Sequence, residues 1–249
     1  MTRSDREPSA ADSPDSPSNV PVPILYENSE RLRFDQRLAQ CRARALKALL
    51  SPTTVLDVGC GAGHLTRELA RYHHRVVAVE PDRDRADHAR YITADLDVEV
   101  HEVPLETFQP GDLRFGAIFM ARLLEHVAEP VTILTHYAQW LAEGGSIIAL
   151  IAAQRQPAAP DTAVDDTAVD AGRRSGRVYD VTSLRRDCAA AGLQVWKTGG
   201  IMFKPIPESK MHSLPAELVA ETAALGQEPR LLSAELYAVA TPNHEPGQL

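Results

Sequence analysis

A chain of 249 residues, 44% of them hydrophobic, is long enough for one domain whose core needs no covalent staples. A net charge of −8 and an aromatic content of 5% argue against nucleic-acid partners, which call for a basic face and stacking side chains. Cys41, Cys60 and Cys188 are far apart and form no CxxC pair, so neither a disulfide framework nor a metal site is expected, and a reducing cytoplasm is the natural compartment.

Residues 1–22 are rich in Ser, Pro, Asp and Ala and read as a disordered tail without the apolar core of a signal peptide. No stretch approaches the ~18 apolar residues of a membrane span. A single domain is expected over 23–241, with a short tail at 242–249. It opens on one or two helices, because Leu25, Leu32, Phe34, Leu38, Cys41, Ala45, Leu46 and Leu49 recur at roughly helical spacing. "SPTT" breaks that pattern.

From Val55 onward strand-like and helix-like segments alternate. "TVLDVG", "RVVAVE", "VEVHEV", "FGAIFMA" and "SIIALIAA" read as strands; "HLTRELARYHH", "PDRDRADHARYI" and "EPVTILTHYAQWLAEGG" read as helices, the last closed by its glycines. Continuous apolar strands are those buried on both faces, and their alternation with helices predicts a parallel sheet with right-handed crossovers. The stretch 154–178 has no apolar periodicity, repeats "DTAVD" at 161–165 and 166–170, and reads as a mobile loop that would close over a substrate. Beyond it, "VTSLRRDCAAAG" predicts a helix, "LQVWKTGGIMFKPI" a strand, turn and strand, "PAELVAETAALG" a helix and "SAELYAVATP" a last strand.

The first strand runs into "DVGCGAG". In such sheets ligands bind beyond the carboxyl ends of the strands, where glycines permit left-handed backbone and close approach. A dinucleotide fingerprint would place a small residue at position 64, which is His64; the third glycine is instead Gly63. Asp57, two residues before Gly59, would repel a pyrophosphate and suits a cationic ligand.

"VLDVGCGAG" resembles the cofactor loop of class I S-adenosylmethionine-dependent methyltransferases. "VVAVEPD", "FMARLLEHV" and "WLAEGGSIIAL" continue the resemblance in the family's order. "RVYDVTSLRRDCAAAGLQV" and "GGIMFKPI" are similar to the carboxyl-terminal part of the ubiquinone-biosynthesis O-methyltransferases and their small-molecule relatives. The resemblance covers roughly Tyr26 to Ala240. It implies an α/β fold: a doubly wound, mostly parallel seven-stranded sheet with an N-terminal helical cap. It also implies S-adenosylmethionine as cofactor, held by Asp57, Gly59, Cys60, Gly61, Gly63, Glu80 and Pro81, with Met120 and Ala121 offering backbone to its amino-acid end. Glu80 would grip the ribose diol. Glu102 either reaches the adenine side or is a solvated charge.

Two departures from the family pattern stand out. Arg122 stands where metal-assisted relatives carry an acid, three residues before Glu125. Arg174 and Ser175 stand where related chains show Gly and His. A sulfonium methyl is already activated, so placing the acceptor behind it accounts for roughly 7–11 kcal/mol of the barrier. An acceptor that must also lose a proton gains about 10²–10⁴-fold from a base, for which His126 is the candidate; its alternative is packing under the next helix. The acceptor is expected to be a small molecule held by residues 26–50, 154–178 and 199–215, with Lys204, Arg177 and Tyr179 able to orient an acidic or phenolic group. Richness in Ala, Arg and Pro fits a tailoring role in secondary metabolism. Two other readings stand beside this one: a non-catalytic cofactor-binding subunit, and a nicotinamide-dependent oxidoreductase, disfavoured by His64 and Asp57.

Overall fold

The computed structural model describes residues 29–49, 54–72, 75–153, 177, 179–203, 211, 213–225 and 233–243. In chain order these form α1 (Ser29–Leu46), β1 (Val55–Val58), α2 (His64–Ala70), β2 (Val76–Val79), α3 (Arg83–Ile92), β3 (Val98–His101), β4 (Phe115–Ala121), α4 (Pro130–Ala138), β5 (Leu141–Ala152), α5 (Val181–Ala190), β6 (Leu193–Phe203), α6 (Ala216–Leu225) and β7 (Ser233–Pro242). They build one seven-stranded sheet in the order β3-β2-β1-β4-β5-β7-β6. β1 to β5 pair in parallel, and β7 enters antiparallel between β5 and β6. The sheet is therefore doubly wound and mostly parallel, as expected.

Strand alternation divides the core. Leu56, Val58, Ile118, Met120, Ile147 and Ala149 face α4 and α5, where they meet Ile133, Tyr137, Leu184 and Cys188. Val55, Phe119, Ile148, Leu150 and Val239 face the other way, onto Phe34 and Leu38 of α1, Leu65 and Leu69 of α2 and Val219 of α6. The N-terminal helical region is a single helix closed by a 3-10 turn, Lys47–Leu49, and it lies against α2 and α6. Local signals explain the helix starts. The Asp82 carboxylate accepts the Arg85 N–H at 3.0 Å to open α3, and Asp180 and Ser183 form a reciprocal capping box on α5. Pro130 begins α4, where its missing N–H costs nothing.

Two predicted elements differ. The helix expected to run to the glycines of "WLAEGG" ends at Ala138, and β5 starts at Leu141. The register against β4 jumps from Phe115–Leu141 to Ala117–Ser146, so the residues between are taken up in an irregularity. Gly144 there is left-handed (φ 72°), and a Cβ on Gly145 would lie 2.8 Å from the Phe115 carbonyl. "KTGGIMF" is no turn: β6 is continuous through Gly199 and Gly200. The Tyr237 ring crosses over Gly199, where a Cβ would meet it at 2.5 Å, so this glycine makes room for an aromatic neighbour on β7.

Residues 1–22, residues 244–249 of the tail expected at 242–249, residues 154–176 and 178 of the loop expected at 154–178, and Lys204, Arg174 and Ser175 lie outside the described residues. Among those described, no helix is long and apolar enough to cross a membrane.

Candidate active site

Three glycines shape the turn after β1. Gly59, Gly61 and Gly63 have φ of 70°, 57° and 81°, a region that costs other residues roughly 1–2 kcal/mol. Their surroundings differ. A Cβ on Gly59 would lie 2.9 Å from the Leu123 side chain, and one on Gly63 2.7 Å from the Ala89 backbone, whereas one on Gly61 would meet nothing within 4 Å. Gly63 thus lets α3 approach, and Gly61 is the open crest of the loop. Gly59 and Cys60 both donate to the Val79 carbonyl, at 2.8 and 3.1 Å, which ties the turn to the end of β2. Burial pushes the Cys60 thiol well above its ordinary pKa, so it stays neutral.

Glu80 follows β2 and is buried. Its Oε2 accepts the Gly61 N–H at 2.9 Å and its Oε1 accepts the Asp82 N–H at 3.0 Å. Pro81, beside it, is exposed. Asp57 is 1% exposed, and its Oδ2 accepts the Thr66 hydroxyl at 2.7 Å. Burial pushes its pKa up to about 6; the Thr66 bond opposes that shift and the nearby Glu80 charge adds to it. Two acids therefore stand below the glycine turn. A cation placed there would favour the ionised form of Asp57.

His64 begins α2 with its ring 5.6 Å from that of His88, edge on. Burial, then the neighbouring His88, lowers the His64 pKa to about 4, so it is neutral. The His88 Nδ1 donates to the Ala62 carbonyl at 2.9 Å, a tautomer that follows from the partner being an acceptor.

The β1–β4 ladder ends at the Asp57–Phe119 pair, and β1 turns away at Gly59. The strand order reverses here, with β2 on one side of β1 and β4 on the other, and ligands settle at such a crevice. Met120 is fully buried and Ala121 half-buried at its β4 wall. Glu102 is exposed beyond β3 and accepts from Arg90 at 3.3 Å. His126 is exposed; its N–H donates to the Leu123 carbonyl at 2.9 Å, and its ring has no hydrogen-bond partner among the described residues. Tyr179, expected near the acceptor, is instead in the core: it is 1% exposed and donates its hydroxyl to Asp187 at 2.6 Å.

One feature has no signal in the sequence. Arg122 leaves β4 with φ 57°, the non-glycine residue with positive φ among those described. Its Nε donates to Glu125 Oε2 at 2.9 Å, and its Nη1 lies 3.8 Å from Glu235 Oε1. Glu235, at the start of β7, also receives both arms of the Arg42 guanidinium from α1. The second Glu125 oxygen accepts the Ala152 N–H. Residues 42, 122, 125 and 235 meet only because β7 runs antiparallel and begins at the carboxyl end of β5. No cluster of three metal-ligating side chains occurs among the described residues.

An open α/β sheet with a glycine turn and two buried acids at its switch point defines a class of nucleotide-like cofactor binders. The profile described as "Methyltransferase domain" matches residues 30–198, more than half of the chain. The chain belongs to the methyltransferase-domain family, whose class I members use S-adenosylmethionine. It is similar to a ubiquinone biosynthesis O-methyltransferase of Xanthomonas campestris, with 34% identity over 120 residues, 46% of this chain and 49% of that protein. It thus spans about half the length of the first curated relatives it matches. A Thermotoga maritima structure described as a SAM-dependent methyltransferase, possible histamine N-methyltransferase, aligns with a TM-score of 0.64 and 21% identity, covering 86% of this chain and 94% of that one. Magnesium protoporphyrin IX methyltransferase of Synechocystis, solved with bound SAM, aligns with a TM-score of 0.55 and 14% identity over 86% of this chain and 82% of that one. These two likenesses are of fold.

Proposed function

We propose that the protein transfers a methyl group from S-adenosylmethionine to a hydroxyl oxygen of a small molecule. The observation that carries this reading is the glycine turn at the switch point with Asp57 and Glu80 buried beneath it. The curated relatives' name, O-methyltransferase, favours oxygen over nitrogen. That name refers to ubiquinone biosynthesis, so the composition argument for secondary metabolism gains no support.

In this reading the cofactor, when bound, supplies an activated methyl group. Glu80 keeps a lone pair on each oxygen for the ribose hydroxyls while holding Gly61 and Asp82. Gly59, Cys60 and Gly63 hold the turn in shape, Gly61 leaves space above it, and Pro81 turns the chain into α3. Asp57 balances the cofactor's positive charge. Met120 and Ala121 line the amino-acid end with backbone, and Glu102 stands on the adenine side. His126 is proposed to take the acceptor's proton.

The test is direct. The protein is incubated with S-adenosylmethionine and a panel of small hydroxylated and amine acceptors, and S-adenosylhomocysteine is measured. Thermal unfolding with S-adenosylmethionine, S-adenosylhomocysteine and NAD runs alongside, since a ligand at 100 times its Kd stabilises by about 2.7 kcal/mol. Stabilisation by NAD alone would overturn the reading. Stabilisation by S-adenosylmethionine with no turnover on any acceptor would favour the non-catalytic subunit.

A further inference from the structure

The connection from β4 to α4, residues 122–129, carries His126 and has little regular structure of its own. The His126 N–H donates to the Leu123 carbonyl at 2.9 Å, which closes one turn. Val127 packs against the core, whereas His126, Ala128 and Glu129 are exposed. The Glu129 side chain makes no capping bond to α4. Arg177, far away in the sequence, grips this connection at two points. Its main-chain N–H donates to the Glu125 carbonyl at 2.7 Å, and its Nη2 donates to the Ala128 carbonyl at 3.1 Å. Those two carbonyls flank His126 and Val127, so one residue holds the chain on both sides of the imidazole. The Glu125 end is braced further, because the Glu125 carboxylate accepts from Arg122 Nε and from the Ala152 N–H.

The Arg177 guanidinium is itself aimed. Its Nη1 lies 3.9 Å from Oδ2 of Asp187, a buried residue of α5. The same carboxylate accepts the Tyr179 hydroxyl at 2.6 Å and Arg186 Nε at 3.1 Å. A planar guanidinium fork is pre-organised, so it loses less freedom per hydrogen bond than an ammonium and suits a clamp. The Arg177 side chain is 46% exposed, so replacing it opens no core. We propose that Arg177 is a positioning residue for His126, holding the β4–α4 connection so that the imidazole faces the methyl acceptor. This rests on the reading of His126 as the group that takes the acceptor's proton. Arg177 acts through the main chain and takes no part in the proton transfer. Such a hold matters because a misplacement of about 1 Å can cost on the order of 10²-fold in rate.

The test uses the full chain saturated with S-adenosylmethionine whose methyl group is isotopically labelled, so no acceptor is needed. The proton shift of the bound methyl responds to an aromatic ring beside it. His126→Ala is expected to move that signal. Arg177→Met should move it in the same direction, and Arg177→Lys should return it most of the way to the parent position. In the His126→Ala background Arg177→Met should add no further change. Exchange of the His126 amide hydrogen should be about two- to tenfold faster in Arg177→Met, as for the loss of one hydrogen bond. A purely structural Arg177 would lower the melting temperature and leave the methyl signal in place, which overturns the proposal. A shift that Arg177→Met still produces in the absence of His126 overturns it as well. A methyl signal that His126→Ala leaves unmoved removes the reading of His126 itself, and this inference with it. Failure of S-adenosylmethionine to bind removes the cofactor reading and both that rest on it.

Discussion

The Gly61 N–H donates to Glu80 Oε2 at 2.9 Å, so the acid that follows β2 holds the crest of the turn that follows β1. One buried side chain thus ties the loop to the end of the neighbouring strand. Glu80→Ala is expected to weaken S-adenosylmethionine binding about ten- to a hundredfold, the equivalent of losing one charge-assisted hydrogen bond of roughly 1.5–3 kcal/mol. Calorimetry on the folded variant checks this. An unchanged affinity would remove Glu80 from the cofactor site.

The glycines are separable. Gly63→Ala meets both a positive φ and the Ala89 backbone, so it should cost about 2–5 kcal/mol of stability. Gly61→Ala meets only the positive φ and should cost about 1–2 kcal/mol, yet reduce cofactor affinity more, because its methyl projects into the open space above the turn. Denaturant midpoints and cofactor titrations on both variants test the contrast; equal losses of stability would contradict it.

The alternating order of strands and helices is readable in the sequence because parallel strands buried on both faces must be continuous apolar runs, and β1, β2, β4 and β5 are such runs. Asp57, Gly59, Gly61, Gly63 and Glu80 are readable for a related reason: an acid or a glycine that interrupts such a run needs a cause. The Gly199–Gly200 pair misleads, since two glycines ordinarily mark a turn, and the ring of Tyr237 that accounts for Gly199 comes from another strand. The Arg42–Glu235 contact joins residues 193 positions apart and leaves no local trace. Tyr179 looks like a polar residue near the site until Asp187 of α5 takes its hydroxyl.

Asp57 and His64 should give opposite pH slopes to stability. The folded Asp57 has a pKa of about 6, above its unfolded value, so between about pH 4 and 6 the native state holds more protons and this residue makes stability fall as pH rises. The folded His64 has a pKa of about 4, below its unfolded value of about 6.5, so over that range the unfolded state holds more protons and this residue makes stability rise with pH. Asp57→Asn should therefore steepen the gain in stability from pH 4 to 6, and His64→Gln should flatten it. Urea midpoints at intervals across the window decide; profiles parallel to the parent protein in both variants would refute the assignment.

His126→Ala should lower single-turnover rates about 10²–10⁴-fold at neutral pH while cofactor affinity and melting temperature stay near those of the parent, because the ring is exposed. The deficit should shrink at higher pH as the acceptor ionises unaided. A stable variant with near-normal rates at every pH would leave positioning of the acceptor as the whole of the mechanism.

Glu125 receives two backbone N–H groups from distant parts of the chain: Ala152 donates to its side chain and Arg177 donates to its carbonyl, the latter at 2.7 Å. A connection whose two feet stand on one residue can change in length without shifting the sheet. Halving or doubling such a connection changes its closure cost by only about 0.6 kcal/mol. The duplicated "DTAVD" lies between those two feet, so gain or loss of one copy alters the connection by less than a doubling or halving and should cost less than that amount.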